Sequence, residues 1–255
     1  MRFLAIIQAR CGSTRLKNKV LFPLNGKPLL QHVIERVQKS RYVDDVIVAT
    51  SIDKQNLPLV KLCADLNTSV FIGSENDVLD RYYQAAKLFN PEYVIRITGD
   101  CPLIDPLIID NAIEHLAPKT DYLGMISESF ADGLDVEIFR FSVLKQAWKE
   151  ASLMSQREHV TQYIIHNPAI FTLQDYTSEI KDFGKKRWTI DEVEDYIFIK
   201  KIYEHFGDRE FSYLDILVYL QQNPSLEAIN SRYARNEGLA KSLDNDFRVN
   251  LPEEG

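Results

Sequence analysis

The stretch Phe3-Leu4-Ala5-Ile6-Ile7 runs directly into Gln8-Ala9-Arg10-Cys11-Gly12-Ser13-Thr14-Arg15-Leu16-Lys17-Asn18-Lys19, and its reading decides the fold. Five apolar residues in a row, bounded by a turn-rich segment, read as a short strand buried on both faces. Gly12, Ser13, Pro23, Asn25 and Gly26 keep the next segment irregular. Pro28 then stands where a helix can start, and Leu29, Leu30, Val33, Ile34 and Val37 recur at helical spacing to about Ser40. The alternation continues. Strands are expected at 45–50, 69–72 and 93–97, and helices at 55–65, 76–89 and 105–116. Strands alternating with helices imply βαβ units, hence an α/β fold with a mostly parallel central sheet and helices on both faces.

The pattern becomes mixed after Leu116. Strands are expected at 134–139, 171–173 and 187–190, and helices at 141–150, 156–165, 193–206 and 213–222. No repeat, low-complexity run or Gly/Ser linker divides the chain. The reading is one domain over 1–235, with a subregion at about 120–185 for an acceptor or a dimer contact, and a polar, loosely held tail over 236–255.

Bulk properties narrow the function classes. The chain has 255 residues, 45% hydrophobic and 26% charged, which is enough for a sizeable core. No apolar run approaches the ~20 residues that span a bilayer, and the N-terminal run lacks a cleavage site, so a cytoplasmic, non-membrane protein is expected. Cys11, Cys63 and Cys101 form no CxxC pair, in keeping with a reducing compartment. A net charge of −7 argues against general nucleic-acid binding. The distribution is uneven, however: from Met1 to Ile34 there is no Asp or Glu, but there are Arg2, Arg10, Arg15, Lys17, Lys19 and Lys27. Charge alone leaves a solvated basic edge and a polyanion pocket equally open.

Parallel sheets bind ligands beyond the C-terminal ends of their strands, and two candidate segments lie there. In Gln8 to Lys19, Gly12 lets the backbone approach a bound group, Ser13 and Thr14 add hydroxyl donors, and Arg10, Arg15 and Lys19 can offset the charge of a triphosphate. The loop matches neither the Walker pattern nor the dinucleotide fingerprint. In Arg96-Ile97-Thr98-Gly99-Asp100-Cys101-Pro102-Leu103-Ile104-Asp105, Asp100 ends a central strand and can hold Mg²⁺ against phosphate oxygens, whereas Asp105 before Pro106 reads as a helix cap. Asp191 closes another short strand in Arg187-Trp188-Thr189-Ile190-Asp191-Glu192 and is the candidate second metal carboxylate. The plain alternatives are an Asp in a turn for Asp100 and an acidic helix start for Asp191.

The segments IIQAR-x-GSTRL, KVL-x-PL-x-GKPLL, VLDRYYQAA, RITGDCPLIDP, GLDVE, REHVT, RWTID and RNEG resemble, in order and over nearly the whole chain, the cytidylyltransferase family. That family includes the CMP-sialic acid and CMP-Kdo synthetases, and the likeness is to its SpsF branch, named for spore coat polysaccharide biosynthesis. Cys11 and Lys17 depart from the branch, where Met and Pro are common. The resemblance implies a Rossmann-like, GT-A-like nucleotidyltransferase fold and transfer of CMP from CTP to a sugar acid or related acidic acceptor, with pyrophosphate released. It implies that Ala9, Arg10, Gly12, Ser13, Arg15, Lys19 and Arg81 bind the nucleotide, with Arg10, Arg15, Lys19 and Asp100 catalytic. It places Mg²⁺ on Asp100 and Asp191, and puts Asp135, Glu137, Arg157, Glu158 and His159 near the acceptor or a dimer contact. A homodimer is implied as well. Two rivals remain: a nucleotide-sugar-dependent glycosyltransferase of the GT-A type, which needs D-x-D where Thr98-Gly99-Asp100 stands, and a non-catalytic nucleotide-binding protein.

Overall fold

The computed structural model describes residues 1–13, 15–249 and 251; Thr14, a candidate hydroxyl donor, and the remaining C-terminal positions of the polar tail lie outside the described residues. In chain order the elements are β1 (Phe3–Gln8), β2 (Pro23–Leu24), β3 (Lys27–Pro28), α1 (Leu29–Val37), β4 (Asp45–Ser51), α2 (Leu57–Asp65), β5 (Ser69–Gly73), α3 (Val78–Phe89), β6 (Tyr93–Thr98) and α4 (Pro106–Glu114). They continue as β7 (Tyr122–Gly124), β8 (Glu137–Arg140), α5 (Phe141–Glu150), α6 (Met154–Glu158), α7 (Gln162–Ile165), β9 (Leu173–Asp175), α8 (Val193–Phe206), α9 (Tyr213–Gln222) and α10 (Glu237–Asp244).

Seven strands form one sheet in the order β5-β4-β1-β6-β8-β7-β9, and β2 pairs with β3 in a separate ribbon. Strands β5, β4, β1 and β6 are parallel, β8 runs against both of its neighbours, and β9 is parallel to β7. The sheet is therefore mostly parallel. Alternate residues of β1 feed two cores, as a pleated strand requires. Phe3, Ala5 and Ile7 pack with Val33 of α1, Ile109 of α4 and Ile199 of α8. Leu4 and Ile6 pack with Tyr82 of α3 and Leu144 of α5 on the other face. Continuous apolar runs in the strands are the sequence signature of this two-sided burial.

Three expectations change in the second half. The 187–190 strand is only a single bridge, Asp132 to Arg187. The 156–165 helix is two short helices, because Val160 adopts φ 59° between them. The tail forms α10, whose return segment docks on α6 through the Met154 amide donating to the Phe247 carbonyl at 2.9 Å and the Val249 amide donating to the Ser152 carbonyl at 2.9 Å.

Arg157 braces this packing. It is 2% exposed and donates to Asp77, at the start of α3, and to the Trp148 carbonyl of α5 at 2.6 Å. Removing one member of a wholly buried pair costs about 3–5 kcal/mol, and Asp77 keeps a third of its side chain in solvent, which lowers the figure. Arg157→Ala should therefore lower urea-unfolding stability by about 2–3 kcal/mol and leave catalysis by the folded fraction intact. A stable variant that fails to use acceptor would contradict this structural role.

Candidate active site

Gln8 and Thr98, the last residues of β1 and β6, are register partners, so the two candidate loops leave the sheet side by side. The Gly99 amide donates to the Gln8 carbonyl at 2.7 Å. A Cβ at Gly99 would stand 2.7 Å from Ala9 Cβ and 2.9 Å from the Gln8 carbonyl, so this close approach needs glycine. The basic loop is folded back on itself at Cys11. The Cys11 amide donates to Asn56 Oδ1 at 2.7 Å, and the Cys11 carbonyl accepts from the Ser13 and Asn18 amides.

That fold-back delivers Lys19 into the protein. Its ammonium donates to Asp100 Oδ2, to the Ile190 carbonyl and to Asp191 Oδ1, each at 2.7 Å, and the residue is 7% exposed. Burial pulls the Lys19 pKa down, but Asp100 and then Asp191 more than restore it, so the ammonium is held above its ordinary value. Burial pushes Asp100 up, and the Lys19 charge draws its carboxyl back below the usual range. Three donor bonds satisfy the buried ammonium completely. Ile190 also ties back to the loop after β6, because its amide donates to the Asp100 carbonyl at 3.0 Å.

Around this centre lies a cavity of about 680 Å³. Of the candidates for the nucleotide, it gathers Ala9, Arg10, Ser13, Arg15 and Lys19, together with Asp100 and Asp191. Arg15 pairs with Asp191 at 2.9 Å, Glu192 at 3.5 Å and Glu237 of α10 at 3.6 Å, while Arg10 pairs with Glu75 at 2.8 Å. Gly12 and Arg81 are not among the lining residues. Gly12 faces the Gln55 side chain, and Arg81, 1% exposed, donates to the Ser74 carbonyl at 2.7 Å.

The acceptor candidates divide in the same way. Asp135, Glu137 and His159 line the cavity; Arg157 and Glu158 do not. Arg157 is the structural brace, and Glu158 accepts from Ser242 of α10 at 2.9 Å. Glu137 accepts from Tyr122 at 2.7 Å, from Thr161 at 2.6 Å and from its strand neighbour Arg96. Burial raises its pKa, and Arg96 then outweighs that and holds it below the ordinary range. Asp135 accepts from Arg235 and from the Gly133 amide. Burial lowers the pKa of His159, which lies 3.0 Å from Ser242 Oγ, so its ring favours the neutral form.

Several groups of this cavity escaped the sequence reading. Arg187 spans Asp195 at 2.9 Å, Asp132 at 3.0 Å and Asp191 at 3.5 Å, which fixes the Asp191 segment. Asp195, wholly buried, also accepts from the Asp191 and Glu192 amides at 3.0 Å. Arg235 ties α10 to the Asp135 loop. Arg187 and Arg235 sit in the RWTID and RNEG motifs, Asp132 directly precedes GLDVE, and Asp195 lies four residues beyond RWTID. No local pattern could show that they pair across the chain.

The donor set suits a hard divalent ion. Mg²⁺ usually takes one or two carboxylates and fills its shell with phosphate oxygens and water. Asp100 and Asp191 converge on one cationic point, here occupied by the Lys19 ammonium. Asp100 Oδ1 lies 3.5 Å from the Cys101 thiol, and the Thr98 hydroxyl also helps to hold the carboxylate in its charged form. Among the described residues no group of three or more His, Cys, Asp or Glu side chains converges, so the rest of an Mg²⁺ shell has to come from nucleotide and water.

Residues 4–228 match the family model for cytidylyltransferases. The spore coat polysaccharide biosynthesis protein SpsF of Bacillus subtilis (strain 168) is 35% identical over 87% of this chain and 95% of its own. The 3-deoxy-manno-octulosonate cytidylyltransferase of Geotalea daltonii is 28% identical over 89% of this chain and 87% of its own. The solved cytidylyltransferase of Leptospira borgpetersenii superposes with a TM-score of 0.85 at 35% identity, covering 89% of this chain and 97% of that one. The chain belongs to the cytidylyltransferase family and is a CTP-dependent nucleotidyltransferase.

Proposed function

We propose that this enzyme transfers CMP from CTP to a hydroxyl of a small sugar acid, releasing pyrophosphate, in the biosynthesis of a surface polysaccharide or glycoconjugate. The observation that carries the reading is the convergence of Asp100, Asp191 and Lys19 beneath a cation-bearing loop at the C-terminal ends of β1 and β6. The acidic acceptor draws support from the 3-deoxy-manno-octulosonate cytidylyltransferase relative. Among the described residues no helix is long and apolar enough to cross a membrane. Family resemblance supports a homodimer.

In this reading an acceptor oxygen attacks the α-phosphorus of CTP in line with the departing pyrophosphate. Positioning and electrostatics supply most of the catalysis in such transfers. Asp100 and Asp191 would hold Mg²⁺, which when bound screens the triphosphate oxygens and polarises the phosphorus toward attack. Arg10 and Arg15 exchange their carboxylate partners for phosphate oxygens. These pairs are partly exposed, so releasing them is inexpensive. Lys19, held rigidly, keeps a positive charge at the same point and prevents Asp100 and Asp191 from repelling one another before the nucleotide arrives.

Two measurements test the reading. A pyrophosphate-release assay crossing CTP, UTP, ATP and GTP with a panel of sugar acids should give Mg²⁺-dependent turnover with CTP and at least one acid; CTP binding without turnover on any acceptor would favour a non-catalytic role, and sugar-nucleotide cleavage without pyrophosphate would favour a glycosyltransferase. Asp100→Asn keeps the side-chain shape and a partner for Lys19. It should reduce turnover by at least about 10³-fold, equivalent to about 4 kcal/mol in the barrier, in a protein that still folds but unfolds at lower urea, because Lys19 keeps only Asp191 as a charged partner. A folded, fully active variant would remove Asp100 from the metal centre.

A further inference from the structure

The cation-rich loop leaves one step without an owner: the proton on the attacking hydroxyl. Among the described residues seven carboxylates line the cavity; five of them have both oxygens engaged, and a sixth, Glu128, is bonded only through Oε1 and is half exposed to solvent. Asp191 is shared by Lys19 and Arg15, Asp100 by Lys19 and the Cys101 thiol, and Glu137 by Arg96, Tyr122 and Thr161. Asp135 is taken by Arg235 and the Gly133 amide, Glu128 by Arg235 and Asn236, and Glu237 by Arg15 and the Ala234 amide. Asp132 differs. It is largely buried, its Oδ2 accepts from Arg187 Nη1 at 3.0 Å, and its Oδ1 has no hydrogen-bond partner among the described residues, while the residue lines the cavity.

The backbone holds that carboxylate still. The Asp132 amide donates to the Lys186 carbonyl at 3.0 Å, and the Asp132 carbonyl accepts from the Trp188 amide at 2.6 Å. Gly133 follows at φ 103°, where a Cβ would stand 2.6 Å from the Trp188–Thr189 backbone. Two residues beyond Trp188, Ile190 bonds the Asp100 carbonyl, and Asp191 comes next. One short segment thus fixes Asp132 relative to both proposed metal carboxylates, and Arg187 takes one oxygen so that the other is presented.

We infer that Asp132 is the general base of the cytidylyl transfer, its Oδ1 accepting the proton of the acceptor hydroxyl as that oxygen bonds to the α-phosphorus. The bond from the α-phosphorus to the bridging oxygen breaks, its electron pair leaves with pyrophosphate, and the protonated Asp132 returns its proton to solvent through the cavity. This inference rests on the cytidylyl-transfer reading of the same cavity. The electrostatics agree with the geometry. Burial, then the charge of Asp135, push Asp132 up to about 7 against the opposing pull of Arg235 and Arg187, and Asp100 adds to the rise. A base poised near the working pH is the efficient arrangement. The sign follows directly: Asp132 is a carboxylate above about 7, so the rate should fall as pH drops through that value.

The test compares pH profiles of kcat from 5.5 to 9 for wild type, Asp132→Asn, Asp132→Glu and His159→Gln, with Mg²⁺, CTP and an acceptor that the wild type uses. Asp132→Asn should lower kcat by about 10²–10⁴-fold and lose the acidic limb, with CTP affinity within about twofold of wild type; Asp132→Glu should recover part of the rate, and His159→Gln should keep the limb. Wild-type kcat in Asp132→Asn, survival of the limb there, or its loss in His159→Gln alone would overturn the assignment. Absence of turnover on every acceptor would defeat the functional reading first. Carboxyl-carbon NMR of the CTP-bound protein then decides the residue: titration of Asp132 near 7 supports it, and titration in the ordinary carboxylate range overturns it.

Discussion

The structure turns on a buried ammonium. Lys19 leaves a surface loop, enters the protein at 7% exposure, and joins the end of β6 to the Asp191 segment through three bonds of 2.7 Å. An isolated charge in that position would be prohibitively costly, and two adjacent carboxylates without a cation would repel. Each side makes the other tolerable. The constraint passes outward: the Asp191 segment is locked by Arg187 and Asp195, Arg187 also holds Asp132, and the Ile190 amide closes the circuit onto Asp100. Residues from three distant parts of the chain thereby share one rigid frame.

The frame explains why positioning can carry the chemistry. Cavity charges are nearly all matched before any ligand arrives, and the partly exposed pairs of Arg10 and Arg15 are the ones free to exchange partners for phosphate. The buried pair of Arg96 with Glu137 in the cavity wall stays fixed because its members are register partners on β6 and β8. Mobility in charge pairing sits where a triphosphate is proposed to bind, and rigidity sits where geometry must be kept. α10 adds a third contact to this scheme through Glu237, which links the basic loop to the C-terminal segment.

Much of this was legible in the sequence. The strands β1, β4, β5 and β6 announce themselves as apolar runs between turns, because burial on both faces leaves no room for polar alternation. Asp100 and Asp191 are visible as carboxylates closing short extended segments. The cations of the basic loop are visible too, but the burial of Lys19 is not, since its partners are 81 and 172 positions away. Arg81 and Arg157 mislead for the same reason: an arginine in a family motif reads as a ligand, while in the fold both are packed out of the cavity and bonded to backbone carbonyls. α10 hides because its face is polar and its order comes from docking. The break at Val160 is set by tertiary packing against local preference.

The central claim is that the Lys19–Asp100–Asp191 frame is the metal–triphosphate centre of the enzyme. A crystal structure with CTP and Mn²⁺, read by anomalous scattering, tests it most directly. The account predicts one anomalous peak in coordinating contact with Asp100 and Asp191, phosphate oxygens against it, and Arg15 turned from Asp191 to the phosphates. A nucleotide bound away from this frame, or a metal that touches neither carboxylate, would contradict it.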